Sequence, residues 1–291
     1  MNSRIMSTLG MCLFALACGT KNSATGPGEQ VSPPQNLKAL SINRSTVGLG
    51  WSPPSGGLDS TYAGYLVQWN GGRDSLGIAV LADIIDSLGS GESAFTVFSR
   101  KKNGSLSDGL TIRWAPADRF DSAYVLTEYR GDNPGAYAGL DAGSRNRNPS
   151  TTPLSPLAQA TTALYLYGGS GQIQDPLELR SASLYQGNWN STGFSTITTG
   201  ALSLDSYLSA FPPASTFTAS SVTIVDNTVY YARVVGDPSE VNYVRLHVHI
   251  VPGVSPRQVE IRISLQRVPG LLYASDIGTS RPGGARLSEL Q

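Results

Sequence analysis

Cysteine is almost missing from these 291 residues: Cys12 and Cys18 are the only two, both within the first twenty positions. No disulfide framework and no cysteine-based zinc site can form in the body of the chain. Histidine is as rare, with His247 and His249 alone. Charge is scarce and balanced, 21 Lys and Arg against 21 Asp and Glu, only 14% of residues. Nothing here can neutralise a row of phosphates, which excludes nucleic acid as a partner. No apolar run reaches the roughly 20 residues that a spanning helix needs. What is present is 40% hydrophobic residues with 32 Gly and 18 Pro. That much apolar content at low charge excludes a mostly disordered chain, and the length suggests about two domains. One imbalance, 17 Arg to 4 Lys, has no explanation in the sequence.

The start of the chain reads as an address. Met1–Arg4 is short, polar and once positively charged, Ile5–Ala17 is mostly apolar, and the chain turns polar at Gly19-Thr20-Lys21-Asn22. This is the layout of a secretory signal with a short apolar centre. Ala15-Leu16-Ala17-Cys18 resembles the lipobox of bacterial lipoproteins, with Ala15 where the family usually has Leu. The resemblance implies removal of residues 1–17, Cys12 included, and lipidation of Cys18, whose acyl chains would hold the protein to a membrane. Gly19 stands where an inner-membrane retention signal has Asp, so the expected location is the outer membrane, periplasmic or surface-facing. The other reading is an ordinary cleaved signal with an incidental cysteine. Residues 18–32, rich in Gly, Ser and Pro, read as a flexible tether.

From Pro33 the apolar pattern takes a period of two, punctuated by turn residues. Val47, Leu49 and Trp51 share a face before Ser52-Pro53-Pro54 ends the strand. Tyr65-Leu66-Val67-Gln68-Trp69 alternates again, and Asn70-Gly71-Gly72 is a hairpin signal. Phe95 and Val97 precede Asn103-Gly104, and Leu110, Ile112 and Trp114 form a last strand. About seven short strands between residues 33 and 115 fit an immunoglobulin-like sandwich. Pro34-x-x-Leu37, Val47-x-Leu49-x-Trp51 with Pro53-Pro54, Tyr62-x-x-Tyr65-x-Val67-x-Trp69 and Phe95-x-Val97 with Asn103-Gly104 and Ser107 resemble fibronectin type III modules. The resemblance implies that Trp51 is a core residue and that the module is a spacer or binding platform. Ser93 departs from it, standing where the family has a corner tyrosine. The aliphatic stretch Leu76–Leu88 leaves its local structure open.

Residues 116–274 continue in the same all-β style. Strands are expected at 123–129, 163–167, 177–185, 217–225, 229–235, 243–251 and 258–266, with a loop-rich connection from 130 to 162. Ser203–Phe211 reads as a short helix capped by Ser203 with Leu204, Leu208 and Phe211 on one side. The fold class predicted is therefore two antiparallel β-sandwich domains, 33–115 and 116–274, behind a lipoprotein signal and tether, with residues 275–291 as a disordered tail. Val229–Ile250 resembles a hairpin of β-rich surface lipoproteins, some of which capture haem.

Chemistry-bearing residues are few. Gly168-Gly169-Ser170-Gly171 lacks nucleophile-elbow spacing, there is no phosphate-loop lysine, and the carboxylates are scattered, so catalysis and cofactors are not expected. His247-Val248-His249 places two imidazoles about 6.5 Å apart on one strand face, either as a weak metal or haem pair or as solvent-facing residues alternating with Leu246, Val248 and Ile250, as Arg245 alternates. Arg130-Gly131-Asp132 is either the tripeptide of integrin ligands or a polar turn. Tyr165 and Tyr167, with Tyr185 and Trp189 in Tyr-Gln-Gly-Asn-Trp-Asn, offer aromatic planes for sugar rings, or ordinary packing. The function predicted is a non-catalytic, envelope-anchored lipoprotein whose β-sandwich loops contact another envelope protein or a glycan. The alternatives are a small-molecule or haem-capturing lipoprotein, and an accessory subunit or hydrolase with unrecognised carboxylates.

Overall fold

The period-two pattern of residues 33–115 folds into seven antiparallel strands: β1 (Gln35–Asn43), β2 (Thr46–Ser52), β3 (Tyr62–Trp69), β4 (Gly72–Leu76), β5 (Ala82–Ile85), β6 (Ser93–Lys101) and β7 (Leu110–Trp114). One sheet has the order β1-β2-β5 and the other β4-β3-β6-β7, an antiparallel two-sheet sandwich of seven strands as expected from the sequence. The computed structural model describes residues 31–130, 137–154, 161–169, 174–197, 201–237 and 240–274. Residues 1–30, with Cys18 and the expected signal, and residues 275–291, the expected tail, lie outside the described residues.

Side chains alternate across these strands, and the inward set forms the core. Val47, Leu49 and Trp51 from one sheet meet Tyr65, Val67, Phe95 and Val97 from the other, with Trp51 edge-on to Tyr65 at 5.4 Å. Each such side chain contributes about 1.5–3 kcal/mol by leaving water. The Asn70-Gly71 signal is realised as a two-residue turn, since Trp69 pairs with Gly72. Gly64 sits at a bulge in β3 with φ 132°, where a Cβ would run into the Leu76 carbonyl oxygen. Of the aliphatic stretch after Leu76, Ile85 reaches the core, whereas Ile78, Val80, Leu81 and Ile84 are exposed.

The rest of the chain contributes β8 (Asp118–Thr127), β9 (Gly139–Asp141), β10 (Ser150–Thr152), β11 (Leu164–Tyr167), β12 (Glu178–Ser181), β13 (Ser191–Ser195), β14 (Phe217–Ala219), β15 (Ser221–Thr223), β16 (Thr228–Asp237), β17 (Glu240–Val251) and β18 (Gln258–Leu265). A six-stranded sheet, β14-β13-β16-β17-β18-β8, and a five-stranded one, β10-β9-β11-β12-β15, form a second antiparallel sandwich. Its core holds Leu140, Leu164, Leu166 and Leu179 from the smaller sheet and Leu126, Val244, Leu246, Val248, Ile261 and Ile263 from the larger.

Several expected elements differ. Residues 203–211 form no helix. Asp205 N–H bonds Ser203 Oγ at 3.2 Å, but Leu208 is drawn out to pair with Ala39. Leu204, Leu208 and Phe211 still face one core. The single strand expected at 217–225 is two, β14 and β15, one in each sheet. The strand expected at 177–185 stops at Ser181, and a 3-10 turn, Ala182–Leu184, follows. The loop-rich connection contains β9 and β10, and β13 lies where no strand was expected.

The two sandwiches share a core. Val229, Tyr231 and Tyr243 on the outer face of the six-stranded sheet join Leu204, Leu208, Phe211, Phe217 and Tyr273, and this group is continuous with Trp114 and Leu49 of the first sandwich. Arg245 lies on that outer face and is fully buried, not solvent-facing as its alternation suggested, because these segments cover it.

Candidate functional site

In β11 the alternation Leu164-Tyr165-Leu166-Tyr167 sends the leucines into the second core and the tyrosines to the outer face of the five-stranded sheet. The neighbouring strand aligns Arg180 opposite Tyr165 and Glu178 opposite Tyr167, so both polar side chains share the tyrosine face. The 3-10 turn after β12 delivers Tyr185, and the Trp189 N–H bond to Gln186 O at 2.9 Å folds Trp189 back beside it. Tyr129, beyond the end of β8, is held by a bond from its N–H to Leu166 O at 2.9 Å.

Five aromatic rings therefore meet. Tyr185 lies 5.3 Å from Tyr129, 6.0 Å from Tyr165 and 5.3 Å from Trp189, and Tyr165 lies 6.4 Å from Tyr167. Most of these contacts are edge-to-face, the arrangement favoured by the ring quadrupole. The Arg180 guanidinium sits 3.5 Å over the Tyr167 ring and its Nε donates to Glu178 Oε2 at 2.7 Å. Tyr165 and Trp189 are buried, whereas Tyr129, Tyr167 and Tyr185 form a half-buried rim. Burial pushes the Tyr165 phenol up.

A buried clamp fixes the strands beneath this rim. Glu128, beside Tyr129, accepts from Arg257 N–H at 2.7 Å and from Arg257 Nε at 2.8 Å, and Arg130 Nε donates to it at 2.8 Å. Arg257 also donates to Gly168 O at 2.9 Å and Asp175 O at 2.5 Å. A Cβ on Gly168 would strike Glu128 Oε2, so the close approach requires glycine. Burial alone would raise the Glu128 carboxyl, but the bonds from Arg257 and Arg130 outweigh it and hold the group below the usual range.

The structure thus brings Tyr165, Tyr167, Tyr185 and Trp189 together. Trp189, 8% exposed, supports Tyr185 from behind and presents no face of its own. Arg130 is engaged by Glu128, and Gly131 and Asp132 lie outside the described residues. His247 and His249 are half-buried on one face of β17. His249 Nδ1 is 2.9 Å from Asp226 Oδ1, and burial, then Arg262, hold His247 below its ordinary value. Among the described residues no three His, Cys, Asp or Glu side chains gather as metal ligands. Burial and then the charge of Asp74 push the Asp83 carboxyl up, but these two lie on β4 and β5 of the first sandwich, away from the aromatic cluster. Tyr129, Glu178 and Arg180 escaped the sequence reading. Their alternation was visible, but the register that pairs them with Tyr165 and Tyr167 was not.

No family model matches the chain, and no curated protein matches it either. Among solved structures it is similar to a two-domain fibronectin type III segment of chicken tenascin, at 12% identity and a TM-score of 0.26, over 81% of this chain and 99% of that one. It is also similar to the central fibronectin-III array of RIM-binding protein, at 13% identity and a TM-score of 0.27, over 77% of this chain and 71% of that one. The FN1–FN3 domains of chicken CNTN1 match at 12% identity and a TM-score of 0.22, over 87% and 90%. Scores this low leave the fold to rest on the strand order and the core of the chain itself.

Proposed function

We propose that this chain is a non-catalytic binding protein of a bacterial cell envelope, anchored through lipidated Cys18, whose second sandwich contacts glycan through the rim formed by Tyr129, Tyr167 and Tyr185. The observation that carries the reading is the convergence of five aromatic rings on one outer sheet face, flanked by a hydrogen-bonding Arg180–Glu178 pair. The negative face of an aromatic ring suits the apolar C–H face of a sugar, and a few placed polar groups orient the hydroxyls. The Glu128 clamp pre-orders the strands, which lowers the ordering cost on binding. The first sandwich serves as a platform between this surface and the membrane.

Two experiments test the proposal. On a glycan array the purified chain binds a defined subset of glycans, and Tyr185→Ala removes most of that signal. Signal unchanged in Tyr185→Ala, or retention of a surface-bound protein partner with no glycan signal, overturns the glycan reading. Envelope anchoring is read separately, as incorporation of an alkyne fatty acid that disappears in Cys18→Ala. No incorporation into the native chain refutes the anchor and leaves the binding surface to stand or fall by itself.

A further inference from the structure

The turn between β4 and β5 is built from residues that turns rarely carry at their tip. Gly77-Ile78-Ala79-Val80-Leu81-Ala82 has no charge and no hydrogen-bonding side chain, yet every one of these residues is exposed. The Val80 N–H bonds Gly77 O at 3.1 Å, which puts Ile78 and Ala79 at the corners, where Asn, Asp, Ser or Pro would normally stand. Ile78, Val80, Leu81 and, on β5, Ile84 are 38–59% exposed. An apolar patch of this kind marks a contact surface.

The place of the turn in the fold points to what it meets. The Ser32 N–H bonds the Tyr62 hydroxyl at 3.3 Å, so the chain enters the first sandwich beside the start of β3. Leu76, at the end of β4, pairs with Tyr65, and the Trp51 N–H bonds Leu81 O at 3.0 Å, so the turn lies at that same end. The chain passes into the second sandwich after Trp114, which pairs with Ser93 at the opposite end. On the reading that Cys18 is acylated, on which this inference rests, the 13 steps of chain from Cys18 to Val31 span at most about 45 Å. That is little more than the roughly 30 Å width of such a domain, so the entry end stays within reach of the bilayer.

Charge agrees with position. The chain has four lysines, Lys21, Lys38, Lys101 and Lys102. The first falls in the expected tether and the other three lie at the entry end of the first sandwich. Lys101 pairs with Tyr62 across β6 and β3, the Lys102 N–H bonds Thr61 O at 2.8 Å, and Lys38 shares an open depression with Leu81. Lys38 and Lys102 are exposed, whereas the Lys101 ammonium sits 5.4 Å over the Tyr62 ring. Two carboxylates of this end, Asp59 and Asp83, are turned to backbone N–H groups, those of Thr61 at 2.7 Å and Ile84 at 3.0 Å. A lysine keeps its stem along apolar surface and extends its charge to a headgroup. We propose that this end of the first sandwich docks on a lipid bilayer bearing anionic headgroups. The Gly77–Ala82 turn enters the interface, and Lys38 and Lys102 meet the phosphates. Docking turns the opposite end, where the second sandwich begins, away from the bilayer.

The test is vesicle flotation of the chain from residue 19 onward, which cannot be acylated at Cys18 and keeps the compact unit 31–291 whole. The vesicles are mixed phosphatidylethanolamine and phosphatidylglycerol, or phosphatidylcholine alone. The chain is expected to float with the anionic vesicles and to bind phosphatidylcholine more weakly. Ile78→Ser with Val80→Ser weakens the binding at least tenfold, because two side chains no longer enter the interface. Lys38→Gln with Lys102→Gln weakens it at least fivefold and abolishes the preference for anionic vesicles, which keeps the test decisive if the first pair does not fold. No flotation with anionic vesicles, equal binding to phosphatidylcholine, or unchanged affinity in the Ile78→Ser, Val80→Ser variant overturns the proposal. So does a dimer in sedimentation velocity that this variant dissolves while vesicles stay unbound, since the turn would then cover a second copy. Flotation is read without acylation, so its failure refutes the docking surface and not the anchor, which the fatty-acid label decides.

Discussion

Ala39 and Leu208 exchange both backbone hydrogen bonds, Ala39 N–H to Leu208 O at 2.8 Å and Leu208 N–H to Ala39 O at 2.9 Å. Through this pair the connection between β13 and β14 of the second sandwich lies antiparallel beside the first strand of the first. Leu208 itself is buried in the core that both sandwiches share. Two modules joined in this way should unfold together. Calorimetry is expected to give a single transition, with Leu208→Ala costing about 2–5 kcal/mol across the whole of it. Two separate transitions, with only one moved by Leu208→Ala, would contradict the shared core.

Arg245 lies in the same core without a carboxylate partner of its own. Its Nη2 reaches the carbonyls of Ser203 and Ser206 only at 3.5 Å; among the described residues its Nε and Nη1 meet no acceptor in hydrogen-bond geometry, and its polar side-chain neighbours are the Tyr231 and Tyr273 phenols. Burial pulls its pKa down, opposed by the neighbouring Tyr231 and Tyr273 phenols. Replacing a buried charge by an apolar side chain of similar length is often neutral or stabilising. Arg245→Met is therefore expected to leave stability unchanged or to raise it by about 1–4 kcal/mol in urea denaturation. A loss of stability in Arg245→Met would show that the guanidinium is better paired than its contacts imply.

Glu128 gives the chain an acid-sensitive joint. Its folded-state pKa lies below the ordinary 4.5, so the unfolded chain takes up the proton first as pH falls. The stabilisation is complete above about pH 4.5 and is lost as pH drops through the folded value. Glu128→Gln should flatten that part of the stability profile. At neutral pH it should cost about 3–5 kcal/mol, because Arg257 and Arg130 lose a buried partner. An unchanged acid limb in Glu128→Gln would remove the clamp from the account.

The clamp also shows one use to which the chain puts its arginines. Arg267 donates to Asp118, to the carbonyls of Ser144 and Arg147, and to Asn148, and Arg257 binds Glu128, Gly168 and Asp175 in the same manner. A planar five-donor fork ties several loops at once, which a lysine cannot do. These loops come together from sequence separations of 82 to 149 residues, so composition records the arginines but not their task. What the sequence does make legible is local alternation. β1, β2, β3, β6 and β7 of the first sandwich, its Asn70-Gly71 turn and the long β16, β17 and β18 are readable from period and turn chemistry, whereas β5 lies in the aliphatic stretch whose pattern left its structure open. Three-residue strands such as β9, β10 and β14 are too short to carry a period. The 203–211 segment shows the opposite failure. Its apolar spacing suits a helix, but pairing with β1 prevails. The candidate site divides along the same line, with Tyr165, Tyr167 and Tyr185 visible in the sequence and Tyr129 and Arg180 hidden in cross-strand register.

The histidine pair is expected to be a poor metal site. His249 Nδ1 is taken by Asp226, and Arg262 lies opposite His247 in the adjacent strand, where its charge opposes a cation. Added zinc should leave the melting temperature unchanged in the native chain and in His249→Ala alike. A zinc-dependent rise that disappears in His249→Ala would restore the pair as ligands.

The central claim is that the aromatic rim is a glycan surface, and calorimetric titration tests it most directly. With the strongest glycan from an array, the native chain is expected to bind saturably. Tyr167→Ala and Tyr185→Ala should each weaken binding about tenfold, the equivalent of one aromatic contact. Equal affinity in the native chain and in both tyrosine variants would contradict the account.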